Sequence, residues 1–138
     1  MAETVKDLLK GEPVTVDASA TVQDAAKLMN EKDIGNVLVV ENGEVKGIVT
    51  DRDIVVRVIA SGDGPDASVR EAATTDLETL EPDASIDDAI KKMEEKDVRR
   101  LPVVEDGKPV GIVSLGDLAQ QKDKDSALAD ISSAAPNN

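Results

Sequence analysis

The sequence predicts an α/β fold, of the α+β kind, made of two copies of one unit. When the chain is shifted by 64 positions, residues 4–58 align with residues 68–122 without a gap, and 18 of the 55 aligned pairs are identical. Within each copy, apolar residues at helical spacing alternate with short apolar runs that are typical of strands. Repetition at a fixed interval indicates that one supersecondary unit is used twice.

Two helical segments in each copy begin at a hydroxyl side chain. Thr4 and Ser68 start short segments, and Thr21 and Ser85 start longer helices, in each case with a carboxylate three residues further on. This spacing is typical of a helix N-terminus. Behind the second cap, apolar residues recur at helical spacing: Val22, Ala25, Ala26 and Met29 in the first copy, and Ile86, Ala89, Ile90 and Met93 in the second.

The other elements of each copy are a short extended piece, a hairpin and a final helix. Asn42-Gly43 and Asp106-Gly107 each separate two apolar runs, and such pairs supply the positive φ angles of a tight hairpin turn. The predicted order is therefore short helix, strand, helix, strand, strand, helix. In the first copy the extended piece covers residues 14–16, the hairpin strands 37–40 and 47–49, and the final helix 51–59; in the second copy these are 78–80, 101–104, 111–113 and 115–122.

Composition marks the boundaries between these parts. We assign residues 4–58 to the first repeat and residues 68–122 to the second. Residues 59–67 between them are rich in Gly, Pro and Asp and are predicted to be a linker. Residues 123–138 are mostly small or polar and have no repeat partner, so we expect a flexible tail.

The residue types that are missing exclude several functions. The 138 residues contain no Cys, His, Phe, Tyr or Trp, which removes disulfides, thiolate nucleophiles, Ser–His catalysis and aromatic stacking of bases. The net charge of −13 repels nucleic acids and anionic membranes. No apolar run is long enough for a membrane span or a secretory signal. We therefore expect a cytoplasmic protein that is not an enzyme and binds no metal, nucleic acid or membrane.

The end of each predicted hairpin carries the same motif. The first copy has Gly47-Ile-Val-Thr50-Asp-Arg-Asp53-Ile, and the second has Gly111-Ile-Val-Ser114-Leu-Gly-Asp117-Leu. This doubled motif, in a repeat of 55 residues, resembles the CBS domain, named after cystathionine β-synthase, and two such domains in tandem are called a Bateman module. The resemblance covers residues 4–122. It implies two pseudo-symmetric repeats, each a small sheet flanked by two helices, packed sheet to sheet.

The resemblance also implies a class of ligand and the residues that bind it. In that family, adenosine-containing molecules (AMP, ADP, ATP or S-adenosylmethionine) bind in clefts between the repeats, and none is an obligatory cofactor. Asp53 and Asp117 would accept hydrogen bonds from ribose hydroxyls, while Thr50 and Ser114 would contact ribose or phosphate. A carboxylate suits a cis-diol, because its two oxygens can accept both hydroxyl protons.

The base and the phosphate would use other parts of the two copies. The resemblance places the base against the backbone of Thr15 and Val16 in one copy and of Thr79 in the other. Four of the five arginines lie near the motifs in sequence, and we expect Arg57, Arg99 and Arg100 among them to bind phosphate.

Structural interpretations of the same residues remain open. Thr50 and Ser114 fit N-caps, and Asp53 and Asp117 fit first-turn carboxylates that complement the helix dipole. Arg99 and Arg100 fit a solvated pair, and Arg57 fits a solvent-facing helical residue. The second motif also has Leu115-Gly116 where the first has Asp51-Arg52, which is consistent with the loss of one ligand site.

The sequence therefore predicts a stand-alone regulatory module that binds an adenosine-containing ligand. The alternative is a scaffold without ligand, which acts in a stress response through protein contacts; the chain is similar to short two-repeat bacterial proteins, including some induced under hypoxia. Either module would have a protein partner that the sequence does not identify. We also expect a homodimer, because Ile54, Val55, Val58 and Ile59 are too many apolar residues for one core-facing stripe.

Overall fold

The structure is a computed structural model that describes residues 4–9 and 11–122; the predicted tail, residues 123–138, lies outside the described residues. The predicted order of elements is confirmed in the first copy, and in the second copy it is confirmed except for the strand predicted at residues 78–80. The first copy contains a 3-10 helix (Val5–Leu8), β1 (Thr15–Asp17), α1 (Val22–Lys32), β2 (Asn36–Glu41), β3 (Glu44–Thr50) and α2 (Asp51–Asp53), which continues as a π-helix (Ile54–Ile59). The second contains α3 (Val69–Ala72), α4 (Ile86–Lys96), β4 (Arg100–Glu105), β5 (Lys108–Ser114) and α5 (Leu115–Lys122).

The capping and turn residues explain where these elements begin and end. The hydroxyls of Thr21 and Ser85 accept hydrogen bonds from the backbone three residues on, at 3.2 and 3.0 Å. Each long helix has eleven residues and is followed by an aspartate in the left-handed region, Asp33 or Asp97. Both residues of each hairpin turn have positive φ, as the Asn-Gly and Asp-Gly pairs predict.

One proline makes the sheets of the two copies different. In the first copy, β1 lies parallel to β2, and the Leu38 N–H donates to the Val14 carbonyl at 3.1 Å. The position equivalent to Leu38 is Pro102, which has no N–H to donate. The predicted strand at residues 78–80 is accordingly reduced to a single bridge between Leu80 and Val103, and only β4 and β5 form the second sheet.

The last helix also differs between the copies. Residues Ile54–Ile59 form a π-helix, in which the Ala60 N–H donates to the Val55 carbonyl five residues earlier. Five of those six residues are β-branched, and β-branched side chains crowd the preceding turn of an α-helix. Residues 118–122, which are equivalent to residues 54–58, are Leu, Ala, Gln, Gln and Lys, and α5 is an ordinary α-helix.

The chain forms two compact units, each of which takes a segment from both copies. One unit contains the chain up to Glu12, Glu78–Glu105 and the described residues from Val110 onward; the other contains Pro13–Leu77 and Asp106–Pro109. Each unit has its own apolar core, and the first short helix of each copy is buried in the core that contains the other copy's long helix. Val5 and Val69 are both fully buried in this way.

Matching hydrogen bonds fix these short segments. The Val69 N–H donates to the Ala20 carbonyl at 2.9 Å in one unit, and the Val5 N–H donates to the Ala84 carbonyl at 2.9 Å in the other. Because these pairs occupy equivalent positions in the repeat, both units use the same contact. The first short segment of each copy is therefore a structural part of the other copy.

Arg70 attaches the 68–74 segment to its unit a second time. Its Nε donates to the Ala18 carbonyl at 3.2 Å, and its guanidinium pairs with the Glu41 carboxylate. Hydrogen bonds from the Ser19 hydroxyl and amide, with the Arg70 charge, lower the pKa of Asp17 beside it. Ion pairs and hydrogen bonds thus reinforce the burial of Val69.

A glycine in each hairpin allows the close approach of a short segment. A Cβ on Gly47 would lie 3.0 Å from the Thr74 carbonyl oxygen and 3.3 Å from the Ala73 Cβ. A Cβ on Gly111 would meet mainly the Leu9 side chain, with its nearest atom at 2.8 Å. The backbone at Thr74 is fixed by its pairing with Ile48, whereas the Leu9 side chain can change rotamer.

Gly47→Ala is therefore expected to destabilise the protein more than Gly111→Ala. The first substitution should lower the free energy of unfolding by about 1–3 kcal/mol, the usual cost of overpacking. Urea denaturation of both variants measures the difference. Equal losses at the two positions would contradict the explanation, because they would show that the fixed carbonyl is no more restrictive than the Leu9 side chain.

Candidate functional site

The first motif lies where β3 ends and α2 begins. Thr50 is the last residue of β3, and its hydroxyl accepts a hydrogen bond from the Asp53 N–H at 3.0 Å. In return, the Thr50 N–H donates to Oδ2 of Asp53 at 3.0 Å. This reciprocal pair is a capping box, and it fixes the carboxylate against the backbone. The Asp53 side chain is only 20% exposed.

The second motif has the same geometry at the junction of β5 and α5. The Asp117 N–H donates to the Ser114 hydroxyl at 3.1 Å, and the Ser114 N–H donates to Oδ2 of Asp117 at 3.2 Å. The structural interpretation of these residues as helix caps is therefore correct in both copies. Each box uses only Oδ2, so Oδ1 of each carboxylate has acceptor capacity that the cap does not use.

A backbone hydrogen bond connects each motif to the loop before the first hairpin strand. The Asp51 N–H donates to the Gly35 carbonyl at 2.9 Å, and the Leu115 N–H donates to the Arg99 carbonyl at 2.7 Å. These are equivalent positions, but their side chains differ. A Cβ on Gly35 would lie 3.2 Å from Oδ2 of Asp51. The first copy thus has the pair Asp51 and Gly35 where the second has Leu115 and Arg99.

Arg99 and Arg100 are available for an anionic ligand. Arg99 is exposed and Arg100, the first residue of β4, is half-buried. Within residues 4–9 and 11–122, neither side chain forms a hydrogen bond or an ion pair. This is unusual for a chain with a net charge of −13, which has an excess of carboxylates to pair with.

Arg57, by contrast, is already engaged. Its Nη1 donates to the carbonyls of Ala72 and Ala73 at 3.3 and 3.1 Å, and its Nε lies 3.9 Å from Oδ1 of Asp53. The structure therefore brings Thr50, Asp53 and Arg57 together, with Arg57 between the motif and the 68–74 segment. Its spacing of four residues from Asp53 was a signal for the ion pair, but no local pattern indicated the two carbonyls.

The residues expected to line the base lie in a strand in the first copy and in a loop in the second. Thr15 and Val16 belong to β1, and the Val16 side chain is buried in the core. Thr79 lines an open groove of about 710 Å³ within its own unit. Lys92, at the other side of this groove, donates to the Thr79 carbonyl and lies 3.7 Å from the Glu78 carboxylate. Lys92 stands where the first copy has Leu28, so no pattern shared by the two repeats indicates its role.

The described residues contain neither a metal cluster nor a membrane-spanning helix. No group of three or more Asp or Glu side chains there has the geometry of a metal site. The longest described helices, α1 and α4, have 11 residues, and none of the described helices is long and apolar enough to cross a bilayer.

The chain is similar to proteins with two CBS domains. The family model described as "CBS domain" matches it twice, over residues 5–60 and 65–122. The CBS domain-containing protein YhcV of Bacillus subtilis is 41% identical over 133 residues, which cover 94% of this chain and 95% of YhcV. Hypoxic response protein 1 of Mycobacterium tuberculosis is 34% identical over 119 residues, which cover 85% of this chain and 83% of that protein.

Solved structures show the same architecture. The CBS domain pair of protein MJ0100, in complex with 5'-methylthioadenosine and S-adenosyl-L-methionine, has a TM-score of 0.78 and 28% identity, covering 88% of this chain and 96% of that chain. Hypoxic Response Protein I, solved with two coordinated zinc ions, has a TM-score of 0.75 and 34% identity, covering 87% and 99%. The predicted α+β fold with two repeats is therefore confirmed.

The capping boxes have a measurable effect on stability. Thr50→Ala removes the hydroxyl that caps α2, and it should lower the free energy of unfolding by about 1 kcal/mol. Ser114→Ala is the matched change in the second copy and should cost a similar amount. Thr50→Ser keeps the hydroxyl and serves as the control. Urea denaturation that shows no difference between Thr50→Ala and Thr50→Ser would contradict the capping role.

Proposed function

The chain belongs to the CBS domain family, and we propose that it is a regulatory module that binds an adenosine-containing ligand at Asp53 and Asp117. One observation carries the proposal: both copies present a carboxylate whose Oδ2 is held by a backbone N–H, with further acceptor capacity at Oδ1. The complex of the MJ0100 domain pair with two adenosyl compounds supports this class of ligand.

The capping box suits the carboxylate to a ribose. A cis-diol donates two hydrogen bonds, and an oriented carboxylate accepts both without first losing side-chain freedom. The half-buried position of Asp53 reduces competition from water and should strengthen such bonds. Thr50 and Ser114 would lie beside the sugar or the phosphate, because they precede the two carboxylates on the same turns.

Arg99 and Arg100 favour a ligand with phosphate groups. A guanidinium donates two parallel hydrogen bonds to phosphate oxygens, and these two groups have no partner among the described residues. The proposal therefore places phosphate on the second copy's arginines. The proposal does not place phosphate on Arg57, because its guanidinium already contacts two carbonyls and Asp53.

The backbone of Thr15, Val16 and Thr79 remains the proposed surface for the base. Backbone N–H and carbonyl groups can hydrogen-bond the edge of adenine, so the absence of aromatic side chains from the chain does not count against the site. At Thr79 the carbonyl already accepts from Lys92, which leaves the amide and the second lone pair of the carbonyl for a base. The proposal includes no obligatory cofactor, no metal and no catalytic residue, and it places the protein in the cytoplasm.

Exposed apolar residues favour a second copy of this chain as a partner. Val55, Val56 and Ile59 are 58%, 50% and 53% exposed, whereas Val58 on the same helix is fully buried. The proposed homodimer would cover these three side chains. The same surface also supports the second candidate function, a scaffold for protein contacts in a stress response, which the similarity to hypoxic response protein 1 favours.

Isothermal titration with AMP, ADP, ATP, S-adenosylmethionine and 5'-methylthioadenosine tests the ligand proposal. At least one of these should bind, and Asp53→Ala or Asp117→Ala should weaken binding by about 1–3 kcal/mol through the loss of the ribose contact. If phosphate binds at Arg99 and Arg100, Arg100→Gln should weaken ATP binding and leave 5'-methylthioadenosine binding unchanged.

Asp24→Ala is the matched control for these titrations, because Asp24 forms the same kind of capping box with Thr21 at a helix outside the motifs. It should leave affinity unchanged. The absence of both binding heat and a thermal shift, at millimolar concentrations of all five compounds, would refute the ligand proposal and favour the scaffold.

Val56→Asp tests the proposed dimer. Light scattering should give twice the chain mass of 14.5 kDa for the unmodified protein at tens of micromolar. The added carboxylate should shift the protein towards monomer, because a charge buried at an apolar interface without a partner is costly. Ala26→Asp, at an exposed position of α1, is the control. A monomer mass for the unmodified protein would contradict the dimer.

A further inference from the structure

The 68–74 segment connects the first motif with the rest of the chain. Val69 and Ala72 are fully buried in the unit that contains the first motif. At the end of the segment, Thr74 pairs with Ile48 of β3 through reciprocal backbone bonds of 2.9 and 3.0 Å. Three residues later, after Leu77, the chain enters the other unit.

Arg57 contacts both the motif and this segment with one guanidinium. Nη1 donates to the carbonyls of Ala72 and Ala73, the last residue of α3 and the residue after it. Nε lies 3.9 Å from Oδ1 of Asp53, the oxygen that the capping box does not use. The guanidinium is rigid and planar, so a change at Nε also reorients Nη1.

We propose that Arg57 is a positioning residue that couples the Asp53 carboxylate to the 68–74 segment. Asp53 attracts the guanidinium and orients it towards the two carbonyls, and Arg57 in turn orients Oδ1. A group that donates hydrogen bonds to Asp53 competes with Nε and changes the attachment of the segment. The coupling itself is a property of the chain without ligand; its use by a ligand rests on the proposed function.

The second copy provides an internal control, because it lacks this connection. The position equivalent to Arg57 is Gln121, a neutral side chain. Asp117 has the same capping box as Asp53 but forms no ion pair within residues 4–9 and 11–122. The two copies thus share the cap and differ in the coupling, so substitutions at Asp53 and Asp117 separate the two effects.

Amide hydrogen exchange of Thr74 and Ile48, measured by NMR on the full chain, tests the proposal in a double-mutant cycle. Asp53→Asn keeps an oxygen for the cap but removes the charge, and it should accelerate Thr74 exchange by about 2- to 5-fold, the range for a partly exposed ion pair. Arg57→Gln should accelerate it more, about tenfold, because hydrogen bonds from a charged donor are also lost.

The cycle distinguishes coupling from a merely structural role. In the Arg57→Gln background, Asp53→Asn should have no further effect on Thr74 exchange. Asp117→Asn should leave Thr74 unchanged, and it should also leave the amide of Leu9, in the equivalent segment, unchanged. Additive effects of the two substitutions would overturn the proposal. Arg57→Lys, which keeps the charge but not the planar fork, gives the same test if Arg57→Gln fails to fold.

AMP provides the second readout and separates this proposal from the ligand proposal. If AMP binds, it should change Thr74 exchange in the unmodified protein and not in the Arg57→Gln variant. In one outcome AMP binds at Asp53, as a loss of affinity in Asp53→Ala would show, without changing the hydrogen exchange of Thr74. That result would overturn the use of the coupling by a ligand. If AMP does not bind, the ligand proposal fails while the double-mutant cycle still decides the coupling.

Discussion

The capping box at each strand-to-helix junction is the interaction on which the candidate site depends. Each motif carboxylate would rotate freely if it were only a residue in the first turn of a helix. The reciprocal bonds between Thr50 and Asp53 fix both its position and the oxygen that remains available. A stabilising contact and a binding geometry therefore have the same origin, and the structural and functional interpretations of these residues are not exclusive.

The two copies share this backbone frame and differ in the charges placed on it. The first has Asp51 against Gly35 and Arg57 beside Asp53, so the Arg57 charge is paired locally, while the Arg52 side chain has no partner among the described residues. The second has two arginines without partners among the described residues and a neutral Gln121. Duplication preserves the elements that fold each copy, while the free side chains around the motif have diverged. The proposed phosphate contact therefore lies in the second copy, and the proposed coupling contact lies in the first.

Local patterns in the sequence predicted the elements well but not the contacts between distant segments. Caps at Thr21 and Ser85 and the turn at Asn42 depend on neighbours within four residues, so their geometry could be read directly. The burial of Val5 and Val69 in the core of the other copy's long helix has no periodic signal. The loss of the strand beside Pro102 could not be predicted without knowing which carbonyl an N–H at that position would have met. The carbonyl contacts of Arg57 likewise depend on a segment that is distant in sequence.

The helix after the first motif combines three tasks that the equivalent helix of the second copy does not. The side chains of Ile54 and Val58 pack on the core. Asp53 belongs to the motif, and Arg57 connects it to the 68–74 segment. The apolar side chains of Val55 and Ile59 are exposed. Because these three pairs lie on one continuous helical segment, a rigid displacement of that segment at Asp53 would move the exposed apolar pair as well. In α5 only Leu118 of the corresponding apolar set is kept, and Ala119 and Gln121 replace Val55 and Arg57. A dimer through Val55 and Ile59 would therefore respond to the first motif rather than to the second.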